Sequence, residues 1–102
     1  MKDDISHEEY RSKLANVADL AVSYSNTGNG YFGMRDAFNG LAEQCGANKG
    51  INDKATVGRR KLLAQSVCIE CISRLSNHSN DRLQGELYVI AEDISPRRGR
   101  HR

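Results

Sequence analysis

Three cysteines and a histidine have the most readily named chemistry in this chain. Cys68 and Cys71 form a C-x-x-C, Cys45 lies upstream, and His78 follows Cys71 by seven residues. Thiolates and imidazoles are the usual ligands of tetrahedral zinc, so these four residues define a candidate metal set. The competing reading is packing. Zinc-binding C-x-x-C pairs sit on tight turns, whereas "SVCIECISRL" is apolar and helical in pattern. At i and i+3 both thiols fall on one helix face, where cysteine serves as a small core residue. A redox role calls for a strand leading into the motif and a neighbour that lowers a thiol pKa, and neither is visible. Core packing is the preferred reading, a zinc-stabilised module the lesser one, and no cofactor is expected.

Gly28-Asn29-Gly30-Tyr31-Phe32-Gly33 matches G-x-G-x-x-G. A dinucleotide-binding loop of that form needs a strand before it, a helix after it, and an acidic residue some 20 positions on. Here the preceding segment has a helical pattern, and Asp53, at the right spacing, follows "GANKGIN", which cannot be a buried strand. Kinase-type glycine loops need a strand lysine and catalytic-loop motifs that are missing. The glycines therefore read as a flexible joint between two helices. Tyr31 and Phe32, beside that joint, are candidate aromatic anchors for a protein partner, since such residues dominate interface hot spots.

The cations are unevenly placed. Residues 1–46 carry four basic and seven acidic side chains, and residues 47–102 carry eleven and six, so a net charge of +2 hides an acidic half and a basic half. That polarity concerns partners rather than fold. Much of the basic excess lies in "GRRK" (Arg59, Arg60, Lys61) and in the tail, with Arg97, Arg98, Arg100 and Arg102. Arg59, Arg60 and Lys61 fall in the first turns of a helix, where positive charge opposes the macrodipole by about 0.3–1 kcal/mol each. A solvated face would explain them, and so would contact with phosphates or with an acidic protein surface.

"LAEQCGA" at 41–47 resembles the first half of a helix-turn-helix, in which Ala and then Gly four residues later let two helices cross closely. The second half departs from that pattern, with Asn52 at the position for an apolar residue and Gly50 where the recognition helix should form. Catalysis has little support. His7, His78 and His101 sit in or near expected termini or turns, and the pairs Glu8-Glu9 and Glu92-Asp93 lie at expected helix ends with no shared cleft. The chain reads as a non-enzyme.

Four helices would position these residues. Ser6 and Glu9 form a capping box ahead of Tyr10, Leu14, Val17, Ala21 and Tyr24 at helical spacing, and "SNTGNG" at 25–30 should stop that helix. A second helix is expected from Tyr31 to Gln44, with Met34, Ala37, Phe38, Leu41 and Cys45 on one face and Gly46 as its stop. The third, 54–76, should be central, since Val57, Leu63, Ala64, Val67, Cys68, Cys71, Ile72 and Leu75 make a wide apolar face. Leu83, Leu87, Ile90 and Ile94 mark a fourth, although "LYVI" has strand propensity and strand remains open there. Pro96 should end it.

With 102 residues, 38% apolar and without Trp, the chain can bury one thin, aliphatic core. The expected fold is all-α: one compact bundle of about four helices over 1–95, followed by a mobile, disordered, Arg-rich tail at 96–102. Thin cores are often completed by a partner, so a homo-oligomer is left open. An odd number of cysteines and a polar start suit the cytoplasm, and no apolar run suits a membrane. The expected function is that of a small regulatory or inhibitory protein, of the kind found as bacterial or phage accessory proteins, which binds another protein or a complex that itself handles nucleic acid. The alternative is a non-specific nucleic-acid-binding accessory protein using "GRRK" and the tail.

Overall fold

The computed structural model describes residues 5–47, 54–74 and 81–93. They form four helices, α1 (His7–Thr27), α2 (Tyr31–Gln44), α3 (Lys54–Ile72) and α4 (Asp81–Glu92), with no strand among the described residues. The all-α bundle expected from the apolar periodicities is the fold observed. Leu75, His78, Ile94, Pro96, Arg97, Arg98, Arg100, His101 and Arg102 lie outside the described residues.

The helix ends follow from local chemistry. Ser6 Oγ accepts the Glu9 N–H at 3.0 Å, a cap that stabilises a helix start by about 1 kcal/mol. α1 runs to Thr27, past the stop expected at Ser25, and the Thr27 hydroxyl donates to the Ser23 carbonyl at 2.9 Å. Gly28 then turns left-handed (φ 77°) and donates its N–H to the Tyr24 carbonyl at 2.7 Å. α2 closes in a Schellman motif. Gly46 (φ 74°) donates to the Glu43 carbonyl at 3.1 Å and Ala47 to the Ala42 carbonyl at 2.7 Å, and Ala47 is buried.

α3 is central, packing against both α1 and α4, and α1 also packs against α2. The core joins Leu14, Val17, Ala18 and Ala21 of α1 to Met34, Phe38 and Leu41 of α2, to Leu63, Ala64, Val67, Cys68 and Cys71 of α3, and to Leu83, Leu87 and Ile90 of α4. Each large aliphatic side chain so placed contributes about 1.5–3 kcal/mol. The strand alternative for the fourth element fails because a stripe at spacings of four and three can bury itself only as a helix. Ile72 corrects the expected core. It points outward with 60% of its surface exposed.

One core member is charged. Arg60 is fully buried and is the largest side chain so placed. Its Nε donates to the Ala91 carbonyl and its Nη2 to the Ile90 carbonyl, both at 2.6 Å, with a longer contact to the Asp93 carbonyl at 3.4 Å. Nη2 also donates to Asn39 Oδ1 at 2.7 Å, and the guanidinium lies 5.4 Å from the centre of the Phe38 ring. The α3 arginine thus caps the C-terminus of α4, where a helix presents unpaired carbonyls and partial negative charge. Burial pulls its pKa down to about 10, with the Asp93 carboxylate acting in the opposite direction, so it is charged at neutral pH.

Candidate interaction site

The glycine joint builds an aromatic corner. Gly28 and Gly30 (φ 88°) both take left-handed backbone, which turns the chain from α1 into α2 within three residues. Asn29 N–H donates to Thr27 Oγ1 at 3.0 Å inside the turn. Helix α1, not a strand, leads into the glycines, and Gly33 sits within α2, so the strand–turn–helix frame of a dinucleotide loop is absent here.

The turn brings Tyr24 of α1 edge-on to Tyr31 of α2, with ring centres 5.6 Å apart. Tyr31 in turn meets Phe32 edge-on at 5.6 Å. Arg35, one turn along α2, places its guanidinium 4.8 Å from the centre of the Phe32 ring. From α4, Arg82 reaches to 5.9 Å from the Tyr24 ring. Burial, with the Glu86 carboxylate adding to it, raises the Tyr31 pKa, so its hydroxyl is a neutral donor at physiological pH. Edge-on aromatic pairs contribute about 0.5–1.5 kcal/mol and exposed cation–π contacts about 0.5–1 kcal/mol. Phe32 is therefore held in place, yet 65% of its surface faces solvent.

The "GRRK" segment does not form one patch. Successive helical residues point about 100° apart, and the three cations separate accordingly. Arg59 is exposed and donates to Thr56 Oγ1 at 3.2 Å. Arg60 is the buried cap of α4, a correction to its place among the expected partner-binding residues, because its position is in register with Leu63, Ala64 and Val67 on the core face. Lys61 is exposed but pairs with Glu92 across α3 and α4 at 3.0 Å. The tail arginines Arg97, Arg98, Arg100 and Arg102 lie outside the described residues.

Cys68 and Cys71 are both core residues, and Cys71 Sγ lies 3.7 Å from the Ala18 carbonyl. Burial first, and then neighbouring Cys68, pushes the Cys71 thiol up to about 11. Burial also raises Cys68 and the half-buried Cys45. Thiols held protonated in this way are poor metal ligands, which require the thiolate. Among the described residues no three His, Cys, Asp or Glu side chains gather as a metal set; His78 lies outside them. No described helix is long and apolar enough to cross a membrane.

Sequence reasoning missed Arg35 and Arg82 as supports of the corner. The Phe32–Arg35 spacing of three was a readable signal for one of them. Arg82 required the tertiary approach of α4 to α1. Comparison with protein-family models, curated proteins and solved structures finds no match to this chain.

Proposed function

We propose that this is a non-enzymatic regulatory or inhibitory protein that docks on another protein through the aromatic corner of Tyr31, Phe32 and Arg35. The observation that carries the reading is Phe32: it is 65% exposed, yet fixed by an edge-on tyrosine and an overlying guanidinium. A side chain already braced on two sides loses less entropy on binding, and aromatic and Arg residues dominate hot spots. Surface charge then steers encounter more than it sets affinity. The nucleic-acid alternative is weakened, since burial of Arg60 and pairing of Lys61 leave Arg59 as the part of "GRRK" most available to phosphate.

A photo-crosslinking phenylalanine analogue at position 32, introduced into the full chain in cells, tests this. The expected result is a nuclease-resistant adduct with a discrete protein, absent when the analogue replaces exposed Glu8. Phe32→Ala should then weaken binding to that protein by about 2 kcal/mol or more, mainly through faster dissociation. Adducts to nucleic acid alone, or protein adducts equally abundant from position 8, would refute it.

A further inference from the structure

The main helix contacts run in series, α2 on α1, α1 on α3 and α3 on α4. Lifting either end member leaves the remaining contacts in place. α2 is pinned to α1 by the short turn through Gly28 and Gly30. Residues 73–80 lie between α3 and α4, so α4 is the end member on the longer connection.

Leu83, Leu87 and Ile90 hold α4 by apolar contact, but its C-terminal end is fastened by a polar group. Arg60 reaches the Ile90 and Ala91 carbonyls at 2.6 Å and Asn39 Oδ1 of α2 at 2.7 Å. An apolar side chain loses its burial outright when a helix lifts, whereas a buried cation recovers its hydration. The cap therefore opposes opening by less than its bonds suggest, and the lowered pKa of Arg60 reflects the desolvation that opening relieves. At the other end the hold is lighter, with exposed Arg82 placed 5.9 Å from the Tyr24 ring. Once lifted, a helix of 12 residues with Gly85 inside it does not stay helical alone.

We propose that α4 is a latch that opens as one unit while α1, α2 and α3 stay folded, and that its closure completes the aromatic corner. α4 supplies Arg82 to Tyr24 and brings the Glu86 carboxylate near enough to act on Tyr31, the ring that braces Phe32. Arg60, bonded by one guanidinium to α4 and to Asn39, sits between the latch and the helix that carries Phe32. Release of α4 strips Arg82 and Glu86 from the corner and leaves the rings on α1 and α2. The coupling is intramolecular and holds whether or not a protein docks on Phe32.

Native-state amide hydrogen exchange of the full chain, read by NMR from zero to low urea, distinguishes a latch from a single cooperative unit. The Leu87, Tyr88 and Ile90 amides should exchange through an opening at least about 10-fold more populated than that of the Ala18 and Ala21 amides of α1. Its urea slope should be no more than about half as steep, because less surface is exposed. Val17 is buried and lines the α1–α2 groove with Leu41, so Val17→Ala should speed α1 exchange about 10-fold or more and leave α4 exchange unchanged. Arg60→Met should speed α4 exchange at least about 30-fold, and the milder Arg60→Lys about 5–30-fold. Arg82→Ala and Tyr24→Leu, which remove the two sides of one contact, should each speed it about 2–5-fold. One opening with one urea slope for α4 and α1 overturns the latch. So does α4 exchange that follows Val17→Ala or is unmoved by both Arg60 variants. Exchange of α4 indifferent to Arg82→Ala and Tyr24→Leu overturns its coupling to the corner.

Discussion

Replacing Arg60 tests the most unusual packing in the molecule. Arg60→Met keeps most of the buried stem and removes the guanidinium, leaving the Ile90 and Ala91 carbonyls and Asn39 Oδ1 without the donors that reach them at 2.6, 2.6 and 2.7 Å. Hydrogen bonds from a charged donor contribute about 1.5–3 kcal/mol each, so three would suggest about 5–9 kcal/mol. Desolvation of the cation offsets much of this. The fall of its pKa from the ordinary arginine range to about 10 corresponds to roughly 3 kcal/mol against the charged form. The α4 carbonyls also sit at a helix end, where water can replace part of what is lost. The net expectation is a loss of about 2–3 kcal/mol for Arg60→Met, and about 1–2 kcal/mol for Arg60→Lys, which restores a charge but not the planar fork.

Against a total stability of about 5–15 kcal/mol, that loss is large. Urea titration followed by far-ultraviolet circular dichroism should show a lower midpoint at unchanged slope, and Tm should fall by about 10–20 °C. Asn39→Ala alone should cost about 1 kcal/mol, and the Asn39→Ala, Arg60→Met double variant should lose less than the sum, because the two share a bond. An Arg60→Met protein within about 0.5 kcal/mol of the parent would refute the view that this arginine holds α4 to α3.

Two further outcomes follow from the backbone and the thiols. Gly30→Ala should destabilise by about 1–2 kcal/mol, since its φ of 88° is strained for any Cβ although no atom lies within 4 Å to clash with one. Gly40→Ala, in ordinary helical backbone with equally open space, should instead stabilise by about 0.5–1 kcal/mol, both read by urea midpoint. Burial holds the Cys71 pKa at about 11, above the ordinary thiol value of 9.0, so the unfolded chain releases its proton first. Stability is therefore full below pH 9 and declines as pH rises towards 11. Cys71→Ala should flatten that decline, and equal slopes in the two proteins would exclude the thiol as its source.

Much of the fold was legible because four apolar stripes at helical spacing admit one kind of element. Tyr31–Gln44 was bounded correctly from Gly30 before it and Gly46 after it: Gly46 takes the left-handed backbone common at helix C-termini, and Gly30 the left-handed turn that joins α1 to α2. The end of α1 was less legible. Ser25, Asn26 and Thr27 favour turns in general, but here the helix continues through them to the left-handed Gly28, with the Thr27 hydroxyl bonded back to the Ser23 carbonyl. The candidate site was read in part. Tyr31 and Phe32 were found from their type and their place beside a joint, whereas the stacking of Arg82 on Tyr24 depends on a contact between α4 and α1 that no local pattern encodes.

The misreadings on α3 share one cause. Reading "GRRK" as a run of like charge ignored the turn of about 100° between neighbours. Applied residue by residue, the register that groups Leu63, Ala64, Val67 and Cys71 also includes Arg60, three residues before Leu63, and excludes Leu62 and Ile69. A buried cation and an exposed apolar stripe are two consequences of that single register. Hydrophobicity alone would exchange them, drawing Leu62 and Ile69 inward and Arg60 out. The arrangement holds because the C-terminus of α4 supplies carbonyls that only a donor can satisfy. What Arg60 requires on the inside fixes which residues α3 must leave on the outside, so the exposure of Leu62, Ile69 and Ile72 is the geometric counterpart of the α4 cap.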